Sequence, residues 1–119
     1  MLIRTWSLDA VTIIDVHGRL GIESTGALLD ALSDLLQAGR RDVVLTLLGV
    51  TSVDAAGLGE LAGAFRLVRQ NGGELKIVVR SETVRAVLIR TNLFGLLPTF
   101  ATEADAIASF ESVPSLTSA

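Results

Sequence analysis

Strand-like and helix-like patterns alternate along this sequence, and that alternation limits the folds open to it. The run Val43–Leu48 is apolar on both faces apart from Thr46, which is typical of a central strand covered on both sides. Helical spacing flanks this run, because apolar residues recur at i, i+4 and i+7 over Leu28–Leu36 and at i, i+3 and i+7 over Leu58–Val68. Helices between successive strands predict right-handed parallel crossovers.

The two ends of the sequence complete the pattern. The segment 2–7 and the β-branched run Val11–His17 predict a hairpin that turns near Leu8-Asp9-Ala10, with Gly18 ending its second strand. The order ββαβαβαβα predicts a single-domain α/β sandwich with a mixed, mostly parallel sheet of about five strands and about four helices. After the central strand, the sequence predicts a helix that buries Leu58, Leu61, Ala62, Phe65 and Val68, and then a strand at Leu75–Val79. A helix capped by Ser81 follows, and Pro98 marks the next strand, Leu96–Phe100, as an edge strand. Thr102 and Asp105 open a last helix, whose predicted core residues are Ala104, Ile107, Ala108 and Phe110.

Charge and composition exclude several classes of function. The chain has 119 residues and a net charge of −3, and its basic residues are scattered, so we predict no nucleic-acid partner. It contains no cysteine and one histidine, His17, which excludes disulfides, thiol chemistry and sites that need two histidines. No apolar run approaches the roughly 18–20 residues of a membrane span, and no signal-peptide pattern is present. We therefore predict a cytoplasmic protein with no membrane partner, no metal and no cofactor.

Patterns that carry catalysis are also missing. His17 stands alone and the carboxylates are dispersed, so neither a nucleophile–base pair nor a pair of acids shares a motif. The segment Gly57–Ala62 does fit the G-x-G-x-x-G/A fingerprint of dinucleotide sites at a predicted helix start. That fingerprint follows its strand directly, however, whereas eight residues separate Gly57 from the predicted strand end at Leu48. We predict that the chain is not an enzyme.

The same glycine-containing segment fits another signature better. Residues 47–59 read LLGVTSVDAAGLG. This resembles the signature of STAS domains, the sulphate transporter and anti-sigma factor antagonist family, in which a hydrophobic strand leads to D-S-[ST/A]-G-L-G at a helix N-terminus. Gly18-Arg19-Leu20, Gly72–Ile77 and Glu103–Ile107 fall where the family places comparable stretches. The resemblance covers nearly the whole chain and implies a STAS domain at residues 1–111, followed by a C-terminal tail at 112–119.

The resemblance implies reversible protein binding. An unphosphorylated antagonist of this family docks on a GHKL-type serine kinase that is also an anti-sigma factor, and this frees the sigma factor. Phosphorylation just after the motif aspartate ends the docking. The implied contact surface comprises the segment Asp54–Gly59, the exposed face of the following helix and the loop Gly18–Ser24. The implied partner-binding residues are Asp54, Ala55, Ala56, Gly57, Leu58, Gly59, Gly21 and Ser24.

Both positions equivalent to the family's phosphoacceptor depart from the pattern. Ala55 and Ala56 stand there and offer no hydroxyl, while Thr51 and Ser52 lie upstream. A natural member without the acceptor, an engineered Ser→Ala form and a domain with another task all fit this departure. The competing assignment is a cytoplasmic STAS subunit of a bacterial lipid-transport ABC system, whose motif often reads D-T-A-G-L. The sequence is also compatible with a homodimer.

Three motif residues have structural predictions of their own. Asp54 is of the residue type that caps a helix start by accepting a backbone N–H bond. Gly57 and Gly59 are small enough to let the helix pack close to the sheet. These predictions stand beside the implied binding role.

Overall fold

A five-stranded sheet organises the described part of the chain. The computed structural model describes residues 2–24, 26–92, 95 and 97–111, and within them it confirms the predicted order ββαβαβαβα. The predicted tail, 112–119, lies outside the described residues. The elements are β1 (Leu2–Leu8), β2 (Val11–Leu20), a 3₁₀ turn (Ile22–Ser24), α1 (Ala27–Gln37), β3 (Asp42–Val53), α2 (Ala55–Gln70), β4 (Glu74–Val78), α3 (Glu82–Arg90), β5 (Thr99–Phe100) and α4 (Glu103–Glu111).

The sheet is mixed and mostly parallel, as predicted. Its strands lie in the order β1-β2-β3-β4-β5, and only the β1–β2 pair is antiparallel. A two-residue turn joins that pair, with Asp9 in the left-handed region at φ 54°. Each later strand follows a helix, because parallel neighbours need a crossover connection. β5 lies at the edge of the sheet, as predicted, but it comprises only Thr99–Phe100, so the predicted bounds Leu96–Phe100 are too long, with Leu96 outside the described residues. Pro98 immediately precedes β5, and its carbonyl accepts the Ile77 N–H.

Two strands run further than the sequence predicts. The prediction that Gly18 ends β2 is wrong, because the strand continues to Leu20 with Gly18 at φ 102° and a shifted register against β3. Glycine tolerates this backbone conformation, so an irregularity replaces a chain reversal. The predicted strand Val43–Leu48 likewise extends over Asp42–Val53. This extra length pairs Leu20 with Val53 and brings the two following loops together.

Alternate residues of β3 enter two separate cores. Val43, Leu45 and Leu47 pack in the larger cluster with buried residues of α1, α2 and α3. Val44 points the other way, into a smaller cluster that α4 covers through Ala106. The prediction that this strand is covered on both sides is therefore confirmed for Val43–Leu47. It is wrong for Leu48, which lies on the same face as Val44 and is 39 % exposed. Within the described residues, no helix is both long enough and apolar enough to cross a membrane.

The buried faces of two helices differ from the predicted ones. In α2 the fully buried residues include Glu60 and Ala64, whereas Leu58, Ala62 and Phe65 are only partly buried. In α4 the predicted core residues Ala104 and Ala108 are exposed, and Ala106 is buried in their place. The spacing of apolar residues did not determine which side of each helix faces the core, because alanine and glycine contribute little hydrophobicity to the pattern. The predicted caps are confirmed: Ser81 accepts the Val84 N–H at 3.4 Å and Thr102 accepts the Asp105 N–H at 3.1 Å.

Candidate functional site

Asp54 marks the point where β3 turns into α2. Its backbone is extended (φ −98°, ψ −175°), and its Oδ1 accepts the Gly57 N–H at 3.0 Å. The Asp54 carbonyl accepts the Leu58 N–H at 2.9 Å as the first bond of the helix. This is the arrangement of an N-cap residue, so the predicted cap is confirmed. The predicted helix start near Gly57 is also confirmed, since α2 begins two residues earlier at Ala55.

Asp54 also holds a second segment, the 3₁₀ turn Ile22–Ser24, against the start of α2. Its Oδ2 accepts the Ile22 N–H at 3.1 Å, and its own N–H donates to the Leu20 carbonyl at 3.2 Å. The Ser24 hydroxyl closes the turn by accepting the Gly21 N–H at 3.1 Å. One carboxylate therefore fixes two loops that lie 32 residues apart in sequence.

Backbone donors make the Asp54 carboxylate acidic. The Gly57 and then the Ile22 N–H bonds hold the pKa of this carboxyl below its ordinary value of 3.8. The pKa of the Asp54 carboxyl is lower in the folded chain than in the unfolded chain. The ionised carboxylate therefore stabilises the fold at pH values above 3.8. That contribution is lost as the pH falls through 3.8 and below.

Asp54→Asn is expected to lower the free energy of unfolding by an amount that depends on pH. The difference from the native chain should be largest above about pH 5 and should shrink toward about pH 3, because only the ionised carboxylate is favoured by the two N–H bonds. Urea unfolding across this range measures the difference, with Asp34→Asn in the exposed part of α1 as the matched control. A difference that stays constant or grows on acidification would contradict the assigned role of Asp54.

Two glycines allow this close approach. A Cβ on Gly21 would overlap the Asp54 carboxylate, and a Cβ on Gly57 would overlap the Leu20 carbonyl oxygen. The prediction that Gly57 lets α2 pack close to the sheet is thus confirmed. The same prediction for Gly59 is wrong, because a Cβ there would point into open space on the exposed side of the helix.

The predicted partner-binding residues divide by exposure. Asp54, Ala55 and Gly59 are exposed, and Ala56, Leu58 and Ser24 are partly buried. Gly21 and Gly57 are buried, and their lack of a side chain permits the close packing between the turn and α2. A cavity of about 380 Å³ opens beside Asp54, lined also by Arg19, Ser52 and the turn at residues 21–24.

Ile22 is a surface feature that the sequence analysis did not single out. Its side chain is 75 % exposed although its N–H is held by Asp54. A large apolar side chain on a fixed backbone is suited to enter a pocket of a partner. The signal available in the sequence was an isoleucine between Gly21 and Glu23, a setting with no strand or helix periodicity to bury it.

Glu60 is the second residue that the sequence analysis missed. It lies on α2, is 3 % exposed, and its Oε2 accepts the N–H groups of Gly26, Leu28 and Leu29 at 3.1, 3.0 and 3.3 Å. These donors form the start of α1, whose N-cap residue Gly26 has no side chain to accept them. Glu60 therefore caps α1 from α2. An acidic residue inside the apolar spacing of α2 was the signal that could have revealed it.

His17 lies outside this site. Its Nε2 is 2.8 Å from Asp15 Oδ2, and its ring packs over Gly49, where a Cβ would overlap it. Arg4 adds an ion pair to the same Asp15 oxygen at 3.6 Å. Among the described residues, no group of three or more His, Cys, Asp or Glu side chains could hold a metal ion.

The geometry defines a class of protein: a mixed α/β module whose Asp-capped helix and neighbouring turn form one presented surface. Comparison with known proteins identifies the family to which this fold belongs. The family model described as the STAS domain matches residues 4–106. The chain belongs to the STAS domain family, which confirms the resemblance drawn from residues 47–59.

The relatives and solved structures that the chain resembles include several anti-sigma factor antagonists. The chain is 30 % identical over 95 residues to an anti-sigma-B factor antagonist of Staphylococcus aureus, covering 80 % of this chain and 88 % of that protein. It is 26 % identical over 104 residues to the anti-sigma F factor antagonist of Paenibacillus polymyxa, covering 87 % and 89 % of the two chains. The fold matches that of unphosphorylated SpoIIAA, a Bacillus anti-sigma factor antagonist, with a TM-score of 0.72 and 19 % identity. The match covers 94 % of this chain and all of SpoIIAA. The structure of SpoIIAA has also been solved in its phosphorylated form.

Proposed function

We propose that this protein is an anti-sigma factor antagonist that docks on an anti-sigma factor of the GHKL serine-kinase type. The observation that carries the proposal is the Asp54 carboxylate, which binds both the Gly57 N–H and the Ile22 N–H. The two segments that the family motif assigns to docking therefore form one surface. The similarity to proteins named anti-sigma factor antagonists supports the same function. The proposed task is binding, with no catalytic step.

The chemistry of this surface suits close protein contact. Ala55 and Gly59 are exposed at the start of α2 and present neither bulk nor charge. Ile22 projects beside them as an apolar anchor. Interfaces concentrate their binding energy in a few such anchors, and small neighbours let the partner's backbone approach. Asp54 contributes by fixing the relative position of these residues, which lowers the ordering cost of binding.

The phosphate switch is proposed to be absent from this chain. SpoIIAA exists in phosphorylated and unphosphorylated forms, so that relative accepts a phosphate. We place Ala55 and Ala56 at the equivalent positions, where neither has a hydroxyl to modify. A phosphate would bring about −1.5 to −2 charges to the surface. Without it, the protein stays in the docking-competent form.

Incubation with the kinase partner and ATP is expected to leave this chain without stoichiometric phosphate, while a variant carrying Ala56→Ser becomes modified. The reason is that serine restores the missing acceptor on an otherwise unchanged helix start. Intact-mass measurement and phosphopeptide mapping detect both results. Stoichiometric phosphate on Ser52 or Thr51 of the native chain would show that the switch has moved upstream.

The direct test of the proposed function is release of a sigma factor. Immobilised chain is used to recover its binding partner from a lysate of the source organism, and the purified partner is loaded with the sigma factor that it binds. Titration with the native chain should then displace that sigma factor. Recovery of an ABC ATPase, with no sigma factor displaced, would replace this proposal by the lipid-transport assignment.

Two organisational proposals accompany this function. We assign docking to a domain formed by residues 1–111, with 112–119 as a tail that takes no part in it. We also place the protein in the cytoplasm, where sigma factors and their anti-sigma partners meet RNA polymerase.

A further inference from the structure

The outer edge of the sheet at β1 carries a concentrated apolar surface. We call Leu2, Arg4, Trp6 and Leu8 the β1 edge. They alternate along the strand and pair with His17, Asp15, Ile13 and Val11, so they share one face of the sheet. Leu2, Trp6 and Leu8 are 56 %, 44 % and 52 % exposed. Three of the six large exposed apolar residues of the described chain thus lie on one seven-residue strand.

The strand lacks the features that usually protect such an edge. Edge strands in monomers are commonly short, or are interrupted by proline, lysine or a bulge. β1 has seven residues, contains neither proline nor lysine, and pairs with β2 without a register shift. Its one charged residue, Arg4, is already paired with Asp15 at 3.6 Å. In the described residues no strand lies on its outer side.

The sequence of β1 is complementary to itself when reversed. An antiparallel pair with a two-fold axis at Thr5 places residue n opposite residue 10 − n of the second copy. Leu2 then meets Leu8 of that copy, and Arg4 meets Trp6. Directly opposed side chains lie about 4.5–5.5 Å apart at Cβ, which suits both an apolar pair and a cation–π contact. No two arginines face each other in this register, and each keeps Asp15 as its counter-charge.

We propose that two copies of this chain associate by antiparallel pairing of their β1 strands in this register, which joins two five-stranded sheets into one of ten strands. A closed two-fold interface of this kind uses the same patch on both copies. The paired strip is narrow, so the dimer belongs to the weak, reversible class of small interfaces. The surface lies on a different part of the molecule from the Asp54 site, and the proposal does not depend on the proposed function.

Sedimentation velocity over about 5 to 500 µM tests the association, a range chosen for small, weak interfaces. We expect the native chain to pass from monomer to dimer and Trp6→Arg to raise the dissociation constant at least tenfold, because arginine would then oppose Arg4. Ile89→Arg is the matched control, since Ile89 is 53 % exposed on α3, and it should behave like the native chain. Thermal melting checks that each variant is folded. A native chain that stays monomeric at all concentrations overturns the proposal.

Disulfide trapping tests the register in the full chain, which has no cysteine of its own. Thr5→Cys should cross-link with itself on mild oxidation, because opposed Cα atoms at about 4.5–5.5 Å lie within disulfide range. Leu2→Cys and Leu8→Cys should cross-link when mixed and much less when each is alone. If Trp6→Arg leaves the dissociation constant of the dimer unchanged and none of these cross-links forms, the dimer uses another surface and the proposal is overturned.

Trp6 is the single tryptophan and reports its own surroundings. In dilute native protein its emission should be accessible to acrylamide, and quenching should fall as the concentration rises. Shielding that is already complete in the dilute monomer would mean that another segment of the same chain covers the β1 edge, and this too overturns the proposal.

Discussion

Ala56→Asp is expected to weaken the complex with the anti-sigma factor by about a hundredfold or more. Ala56 is partly buried at the start of α2, beside the exposed Ala55. In the proposed complex an unpaired negative charge at this position must lose its water when the partner docks, and this desolvation cost weakens the complex. Calorimetric titration of both forms against the purified partner measures the change.

The fold itself should accept this substitution. A carboxylate near a helix N-terminus gains about 0.3 to 1 kcal/mol from the helix dipole. Repulsion from the Asp54 carboxylate two residues away opposes that gain, so the free energy of unfolding should change little. Ala56→Asn is the matched control, because it adds the same bulk without charge. If Ala56→Asp binds as tightly as the native chain while folded, the start of α2 is not the contact surface and the proposed function is wrong.

Glu60→Ala is expected to lower the free energy of unfolding by about 3 kcal/mol, a shift of roughly 10 °C in Tm for a domain of this size. The substitution removes the acceptor of the Gly26, Leu28 and Leu29 N–H groups, of which Leu28 is fully buried. The loss is smaller than three independent bonds would give. Glu60 Oε1 is buried with no hydrogen-bond partner among the described residues. Burying this unpaired oxygen destabilises the native fold, so its removal offsets part of the lost stability.

Hydrogen exchange separates this capping role from simple loss of packing. The amides of Gly26, Leu28 and Leu29 should exchange faster in Glu60→Ala by a larger factor than amides elsewhere in the protein. Glu23→Ala removes an exposed carboxylate from the adjacent turn and serves as the control. Glu60→Gln keeps an acceptor oxygen, so the exchange rates of these amides should lie between those in Glu60→Ala and those in Glu23→Ala. Unchanged stability in Glu60→Ala would show that water or another group satisfies these donors.

The parts of the fold that the sequence predicts are those set by local chemistry. Hydrophobic periodicity predicted the order of strands and helices, and the residue types Asp54, Ser81 and Thr102 predicted three helix starts. Each of these signals acts over a few residues, so a single sequence contains it in full. The motif around Asp54 is also a local signal, and it predicted the STAS domain family.

The parts that the sequence did not predict depend on contacts between distant segments. The bond from Asp54 to Ile22 and those from Glu60 to α1 join residues more than 30 positions apart. Gly18 looked like the end of a strand because its conformational freedom fits a turn and a bulge equally well. Which of these occurs depends on pairing with β3, and that pairing has no local signature.

The unequal covering of the sheet has a consequence for synthesis on the ribosome. Val44 and Val78 precede α4 in the chain, and among the described residues α4 is the helix that covers the face on which they lie, through Ala106 and the partly buried Phe110. Lys76 then lies over the Phe110 ring at 4.9 Å. Until residues 103–110 leave the exit tunnel, an emerging chain carries an open apolar face, and this is the interval in which a nascent-chain chaperone would find its binding surface.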